Sequence, residues 1–302
     1  MSNTQVTLSK IPAAGSETFR NSTFFKRHSK LPKPADVRAQ AALQSSEDAV
    51  DAWHPPPVRF PDLNLIVKYG GSVSIGEGQC LWMIRKYLGN TVPVPEVYGW
   101  CCDDGQTFLY MELISGTTLE QRWDGLCAEE KKSVCTQLRP MVEALRKLQR
   151  DPDQTWISSI CGGELQDIWF EGISNVGPFP DVASFHNFFS QYRWERGPSA
   201  EADRIKEGSL LPNDSPVCFV HSDLHRSNII VNSTHDESPV CIKAIIDWHQ
   251  AGWMPMYWEF AKMRWTVLPD DEWRTEYIQQ VIMPPPSELL YAFDYISYCH
   301  PT

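Results

Sequence analysis

Apolar residues follow two different spacings in this chain, and the short strand-like runs are concentrated in its first half. Leu63–Tyr69, Val97–Cys102 and Thr107–Ile114 are short, mainly apolar runs of the kind that buried strands show. The segment Asp103-Asp104-Gly105 separates the last two runs and has the composition of a hairpin turn. These runs predict a small sheet that contains at least one hairpin.

Helical spacing dominates most of the second half and one segment of the first. Gly76-Glu77-Gly78 opens a helical pattern that continues through Leu88. Apolar residues recur at helical spacing between 134 and 148, and an aromatic-rich pattern covers Asp181–Trp194. The apolar run from Cys241 to Ile246 predicts one further buried strand. Together the patterns predict an α+β protein with a sheet-rich first part and a mainly helical second part.

The composition is that of a globular protein and indicates the cellular compartment in which it is found. Apolar residues make up 42% of the 302 positions and charged residues 22%, which is ordinary for a folded, water-exposed domain. No run is long enough for a membrane span, and the start lacks the apolar stretch of a secretory signal. Nine cysteines without C-x-x-C pairs indicate free thiols in the cytoplasm, and neither zinc nor a membrane partner is expected.

Charge divides the chain into a basic start and an acidic remainder. Residues 1–40 carry seven Lys or Arg against two acidic residues, although the whole chain has a net charge of −11. We therefore interpret residues 1–50 as a basic, partly flexible N-terminal extension; a targeting peptide or a nucleic-acid arm is the alternative. The acidic remainder disfavours nucleic acid as a partner. It suits a cationic substrate, or is simply a solvated surface, and the sequence leaves the oligomeric state open.

The candidate chemistry lies in His221-Ser222-Asp223-Leu224-His225-Arg226-Ser227-Asn228 and in the later Ile245-Ile246-Asp247-Trp248. Phosphoryl transfer needs a carboxylate beside the acceptor hydroxyl and oxygen ligands that hold Mg²⁺ against the phosphates of ATP. Asp223 suits the first role, and Asn228 and Asp247 suit the metal. A solvated turn followed by a core strand is the alternative interpretation of the same residues.

These two blocks resemble the aminoglycoside phosphotransferase-like kinases, and in particular their fungal-type branch. The family typically has H-G-D-L-H-x-x-N and then I-I-D-W or I-I-D-F, which Val220–His225 and Ile245–Trp248 match closely. His225 stands where protein kinases usually carry Lys, and no D-F-G or A-P-E segment follows. The resemblance therefore implies a small-molecule acceptor, and a protein kinase is the less favoured alternative.

The resemblance also implies a protein-kinase-like bilobal fold. Residues 51–113 would form a small antiparallel-sheet N-lobe, and residues 114–302 a larger helical C-lobe with the catalytic loop and the metal-binding Asp. Lys68 on an apolar strand would contact the ATP phosphates and pair with Glu77 on the following helix. Glu112 and Ile114 would lie at the hinge, where main-chain groups hydrogen-bond the adenine.

One part of the kinase pattern is absent from the sequence. A Gly-rich hairpin normally precedes the strand lysine by about twenty residues, but residues 52–60 contain no glycine. No P-loop motif occurs anywhere, which excludes the Walker-type NTPases. The expected function is ATP- and Mg²⁺-dependent phosphorylation of a small-molecule hydroxyl. A catalytically weak or inactive pseudokinase that binds nucleotide or a partner remains the main alternative.

Four residues are candidates for the acceptor side of the site. The segment from Trp253 to Lys262 resembles the family's W-x-P-x-Y-W-E-Y-x-K block, near which the acceptor binds. On that resemblance His249, Trp253 and Glu259, together with His225 in the loop, would line the acceptor pocket. Burial in the core is the alternative for each, because aromatic side chains bury large areas in any fold.

Overall fold

A computed structural model describes residues 4–44, 53, 55–89, 91–150, 156–192, 211–233 and 239–297. Within these residues the smaller lobe is an antiparallel sheet with the strand order β2-β5-β6-β4-β3, flanked by α1 and α2. Its elements are β2 (Glu17–Thr18), β3 (Val58–Phe60), β4 (Leu65–Gly70), β5 (Val97–Asp103), β6 (Gln106–Glu112), α1 (Pro34–Gln44) and α2 (Ile75–Leu88).

The larger lobe is mainly helical and contains short antiparallel sheets that carry the site. Its helices are α3 (Leu119–Trp123), α4 (Ala128–Arg146), α5 (Val182–Tyr192), α6 (Trp258–Trp265), α7 (Ile278–Val281) and α8 (Ser287–Ser297). Its strands are β7 (Thr117–Thr118), β8 (Leu148–Arg150), β9 (Ser158–Ser159), β10 (Val217–Val220), β11 (Ile229–Val231), β12 (Ile242–Ile245) and β13 (Gly252–Pro255). The mixed α+β architecture predicted from the sequence is confirmed.

Several local predictions are also confirmed. The hairpin between β5 and β6 turns at Asp104 and Gly105, whose φ angles of 50° and 71° are the positive values that a two-residue hairpin favours. In α2 the side chains of Leu81 and Ile84 are buried against the sheet, as the helical spacing requires. The aromatic-rich helix appears as α5, and the last two residues of its predicted range, 193 and 194, lie outside the described residues.

The N-terminal region is docked, so the expectation of a flexible or loosely attached extension is wrong for residues 4–44. Strand β1 (Thr4–Val6) pairs in parallel with β8 of the larger lobe, and β2 forms the edge of the smaller lobe's sheet beside β5. We call residues 4–18 the N-terminal strap, because they connect the two lobes. The basic composition suggested solvent exposure, but the strap also contains Val6 and Ile11, which are 0% and 4% exposed.

The strap crosses α2 between its two strand pairings. The Gln79 side chain on α2 donates a hydrogen bond to the Pro12 carbonyl at 2.8 Å. The Trp100 indole on β5 donates to the Ala14 carbonyl, also at 2.8 Å. The strap thus packs on the helix that carries Glu77.

In the described parts of the chain, no helix is both long and apolar enough to cross a membrane.

Candidate active site

Lys68 on β4 is the cation that joins the two lobes at the site. Its ammonium lies 2.7 Å from Glu77 Oε1 on α2 and 2.7 Å from Asp247 Oδ1. Burial alone lowers the pKa of Lys68, but the two carboxylates outweigh it and raise the pKa above the usual range. Lys68 is therefore a fixed positive charge, placed by a strand and held by a helix.

Asp247 follows β12 and has a positive φ of 65°, which turns its side chain out of the strand direction. Its Oδ1 is also 2.8 Å from His249 Nδ1. Burial by itself raises the pKa of Asp247, but the His249 contact and the Lys68 charge hold it well below its usual range. The pKa of His249 is raised because the Asp247 carboxylate outweighs its burial. Asp247 is thus an ionised carboxylate at the cleft.

The catalytic loop places Asp223 and Asn228 in direct contact. The Asn228 amide nitrogen donates to Asp223 Oδ2 at 3.0 Å and to the Asp223 carbonyl at 2.9 Å. Burial raises the pKa of Asp223, but the neighbouring His225, 3.5 Å away, outweighs that effect, so the pKa is lowered. The Asp223 carboxylate is therefore ionised, and the Asn228 nitrogen is used within the loop, so its carbonyl oxygen is the atom available to a metal.

His221 and Ile246 join this loop to the segment that ends in Asp247. His221 Nε2 lies 2.9 Å from the Ile246 carbonyl, and the Ile246 amide donates to the Asn228 carbonyl at 2.9 Å. The Asp223 amide donates to His221 Nδ1 at 3.1 Å, so Nδ1 accepts and Nε2 donates. Burial lowers the pKa of His221 to about 4, which agrees with this neutral tautomer. His221 therefore supports the loop.

Glu259 on α6 lies underneath the loop, so the expectation that it lines the acceptor pocket is wrong. The residue is 1% exposed, and its Oε2 accepts from the amides of His221 at 2.5 Å and Ser222 at 3.3 Å. Ser222 has a φ of 65°, a left-handed conformation that costs energy for any residue with a Cβ atom. Burial raises the pKa of Glu259 to about 7. Glu259 holds the turn that presents Asp223.

Trp253 is also placed in the core, and its assignment to the pocket wall is wrong. It lies on β13, is 2% exposed, and packs edge-on against Phe219 of β10. The alternation of a central strand points its ring inward. His225 and His249 do remain at the cleft, with side chains that are 26% and 43% exposed. Of the four acceptor-side candidates, these two histidines keep access to a ligand.

The hinge follows β6, where the two lobes meet. The Glu112 amide donates to the Glu96 carbonyl at 2.9 Å, and the Glu112 side chain accepts from the Glu96 amide at 3.2 Å. The next amide, that of Leu113, donates to the Asn64 carbonyl at 3.2 Å. Backbone groups of Ile114 make no backbone hydrogen bond to any described residue, so they are available to a nucleotide base.

A pocket of about 280 Å³ adjoins the Lys68 ammonium. Its lining includes Pro55 and Pro57 together with Asp247 and His249. The preceding Trp53 carbonyl accepts hydrogen bonds from the amide and hydroxyl of Ser72, at 3.2 and 2.7 Å. Where a Gly-rich hairpin would cover phosphates, this chain instead places a proline-rich segment.

A buried ion pair behind the loop was missed by sequence reasoning. Lys262 on α6 is 0% exposed, and its ammonium lies 2.6 Å from Asp167 Oδ1 and 3.3 Å from Gln250 Oε1. The Trp258 indole donates to the other Asp167 oxygen at 3.1 Å. Lys262 also contributes to lowering the pKa of Asp223. The available signal was a lysine within an aromatic-rich helical segment, which requires a buried partner.

The Lys–Glu pair on a sheet lobe, the hinge, and the Asp223, Asn228 and Asp247 cluster on a helical lobe define a phosphotransferase with a protein-kinase-like fold. Comparison with known proteins agrees with this class. The model of the phosphotransferase enzyme family matches residues 83–289, about two thirds of the chain. The chain belongs to the phosphotransferase enzyme family.

Solved structures give the fold independently. Two ternary complexes of thermostable mutants of aminoglycoside phosphotransferase APH(4)-Ia with AMP-PNP and hygromycin B superpose with TM-scores of 0.53 and 0.51. They share 18% and 17% identity, and the alignments cover 78% of this chain and 77% and 76% of theirs. APH(3'')-Id from Streptomyces rimosus is similar at 14% identity, with a TM-score of 0.46, covering 83% of this chain and 94% of its own. No curated protein matches significantly.

Proposed function

We propose that this protein transfers the γ-phosphoryl group of ATP to a hydroxyl group of a small molecule. The observation that carries the proposal is the connection of the catalytic loop to the metal-side segment through Ile246. Its carbonyl is bound by His221, and its amide is bound to the carbonyl of Asn228. Because of these two bonds, Asp223, Asn228 and Asp247 belong to one rigid unit, as an in-line transfer requires.

The nucleotide would lie between the hinge and this unit. The main-chain carbonyl of Glu112 and the main-chain groups of Ile114 would bind the adenine, and the Lys68 ammonium, oriented by Glu77, would contact the phosphates. The pocket beside Lys68 is bounded by Pro55 and Pro57, which supply no backbone amide to a phosphate. Phosphate binding would then depend on Lys68 and on magnesium more than on a lid.

Magnesium fits the side chains at this position. The Asp247 carboxylate is ionised, and the Asn228 carbonyl oxygen is available, so the set offers the hard oxygen ligands that Mg²⁺ prefers. Among the described residues, no cluster of three or more His, Cys, Asp or Glu side chains could hold a metal by itself. The remaining ligands would therefore be phosphate oxygens and water. The ion would neutralise charge on the transferring phosphoryl group.

Asp223 would orient the acceptor hydroxyl and take its proton. Its lowered pKa keeps the carboxylate ionised near neutral pH, as a proton acceptor must be. As the acceptor oxygen bonds to the γ-phosphorus, its proton moves to Asp223, and the bond from phosphorus to the ADP oxygen breaks. Glu259 would keep Asp223 in position from below by holding the amides of His221 and Ser222.

The acceptor is proposed to be a hydroxylated, positively charged small molecule. His225 in place of the protein-kinase lysine supports a small acceptor, and the net charge of −11 favours a cation. The aligned phosphotransferase whose complexes contain hygromycin B points to the same class. The cysteines that the structure describes are free thiols, which supports the cytoplasm as the location.

The test is a screen of hydroxylated amines and polyols with MgATP, in which a product gains roughly 80 daltons, the mass of a phosphoryl group. Asp223→Ala should lower the rate of product formation by at least ~10²-fold, whereas Asp270→Ala, at an exposed carboxylate outside the site, should leave that rate unchanged. A near wild-type rate of product formation in Asp223→Ala would contradict the assigned mechanism.

A catalytically inactive pseudokinase is the second candidate function, and two features of the nucleotide site favour it. Lys68 binds Asp247 directly at 2.7 Å, and the proline-rich segment replaces the phosphate-binding hairpin. A pseudokinase would bind nucleotide and form no phosphorylated product from any acceptor. Nucleotide binding without ATP consumption, in the presence of Mg²⁺ and the whole acceptor panel, would favour this function over transfer.

A further inference from the structure

A second cavity, of about 400 Å³, lies on α2 away from the catalytic residues. It opens between the segment that follows β2, where Phe19 and Ser22 lie, and the side chains of Trp82 and Arg85 on α2. It is larger than the pocket of about 280 Å³ beside Lys68 and shares no lining residue with it. Phosphotransfer does not use this cavity, so its chemistry needs a separate explanation.

Two solvent-exposed cations on α2, Arg85 and Lys86, and one carboxylate, Glu96, line the cavity. One of the Glu96 oxygens accepts hydrogen bonds from the amide and the hydroxyl of Thr23. The other oxygen lies 3.5 Å from the Arg85 guanidinium. The neighbouring Lys86 ammonium lies 4.3 Å from the centre of the Trp82 ring and makes no ion pair with any described residue. Of the two cations, Lys86 therefore has no anionic partner among the described residues.

Ser22 supplies a second, independent indication of a ligand. The residue is 4% exposed, and its amide donates to the Phe19 carbonyl at 2.9 Å. Its hydroxyl is buried and has no hydrogen-bond partner among the described residues. A buried hydroxyl without a partner is costly, and rotation of the Ser22 side chain toward an acceptor oxygen bound in the cavity would remove that cost.

We propose that this cavity binds a small aromatic carboxylate. The carboxylate would lie between Arg85 and Lys86 and accept a hydrogen bond from the Ser22 hydroxyl, since hydrogen bonds to charged groups are the strong ones. The aromatic ring would pack against Phe19 and Trp82, and the volume suits a ligand of one or two fused rings. The site does not depend on the proposed phosphotransfer.

The binding test compares two probes of the same shape on the full chain. Naphthalene-2-carboxylate should bind in a calorimetric titration, and the neutral naphthalene-2-carboxamide should bind at least about tenfold more weakly, because only the first pairs with the cations. Saturating MgATP should leave the carboxylate affinity unchanged. Equal affinity for the two probes, displacement by MgATP, or no binding of the carboxylate at millimolar concentration would overturn the proposal.

Variants test the residues assigned to the site. Ser22→Ala removes a hydroxyl that has no described partner, so the melting temperature should not fall, while carboxylate affinity should drop about two- to tenfold. The double change Arg85→Gln with Lys86→Gln should lower the affinity by about tenfold or more. Lys132→Gln, at an exposed lysine on α4, is the matched control and should have no effect. Undiminished binding in both site variants would refute the assignment.

Discussion

The Lys68 ammonium and the Asp247 carboxylate meet at 2.7 Å although the two residues are 179 positions apart in the chain. The same ammonium binds Glu77 at 2.7 Å, so a single cation connects the sheet, α2 and the metal-side segment. A magnesium ion on Asp247 would compete with Lys68 for the same carboxylate. On the proposed function, nucleotide binding with magnesium would therefore be coupled to the Lys68–Asp247 pair.

Removal of the Asp247 carboxylate should separate the two contributions to nucleotide binding. In Asp247→Ala the Mg²⁺-dependent part of ATP binding should disappear, because the site loses its ionised metal ligand. Metal-free ATP should bind no more weakly than to the wild type, since Lys68 is freed from a competing carboxylate. Calorimetric titrations with and without Mg²⁺ measure both parts, with Asp270→Ala as the control. Unchanged MgATP binding would locate the metal elsewhere.

Loss of the Asp223 carboxylate should affect turnover and spare nucleotide binding. Asp223→Ala is expected to lower the rate constant of transfer by at least ~10²-fold, the usual contribution of a positioned base. The MgATP affinity should change little, because Asn228 and Asp247 are retained. Steady-state rates on an acceptor found in the screen, together with a MgATP titration, provide the measurement. Near wild-type turnover would remove Asp223 from the mechanism.

Glu259 and His221 should make opposite contributions to the pH dependence of stability. Burial raises the pKa of Glu259 from 4.5 to about 7, so the folded state binds this proton more tightly and stability falls as pH rises through that window. Burial lowers the pKa of His221 from 6.5 to about 4, so the folded state binds this proton less tightly than the unfolded state. Stability therefore falls as the pH falls through that window. In the wild type the two effects offset each other in part.

Glu259→Gln should reveal the His221 contribution. When the pH rises from 4.5 to 7, the unfolding free energy of the variant should change by about 3 kcal/mol more favourably than that of the wild type. The reason is that the variant lacks the carboxyl group with the raised pKa, which costs the wild type stability over this range. Urea unfolding across a pH series measures this difference. Parallel curves for the two proteins would mean that Glu259 titrates normally in the folded state.

Deletion of the N-terminal strap should destabilise the protein. Without residues 1–18, the β1–β8 and β2–β5 pairings are lost and the burial of Val6 and Ile11 is lost as well, which alone costs about 3 kcal/mol or more. The melting temperature should fall clearly, whereas deletion of residues 1–3 alone should have a small effect. Equal melting temperatures for both deletions would show that the strap contributes little to stability.

Features set by local sequence were the ones predicted correctly. The β5–β6 hairpin and α2 follow from turn residues and apolar spacing within a few positions. The spacing of Asp223 and Asn228 is local as well and brings the two side chains into contact, while their roles stay a prediction. The roles of Glu259 and Trp253 were not predictable, because burial depends on partners elsewhere in the chain. The strap is the extreme case, since β1 pairs with a strand that begins at residue 148. Composition alone gave no indication of that partner.

The parallel pairing of β1 with β8 also has a consequence for biosynthesis. The strap is synthesised before its partner strand, which begins 144 residues later. At a translation rate of roughly 5–20 residues per second, about 7–30 s pass between the synthesis of the strap and the synthesis of β8. The strap therefore stays without its native partner during that interval, and its apolar side chains are then accessible to a chaperone.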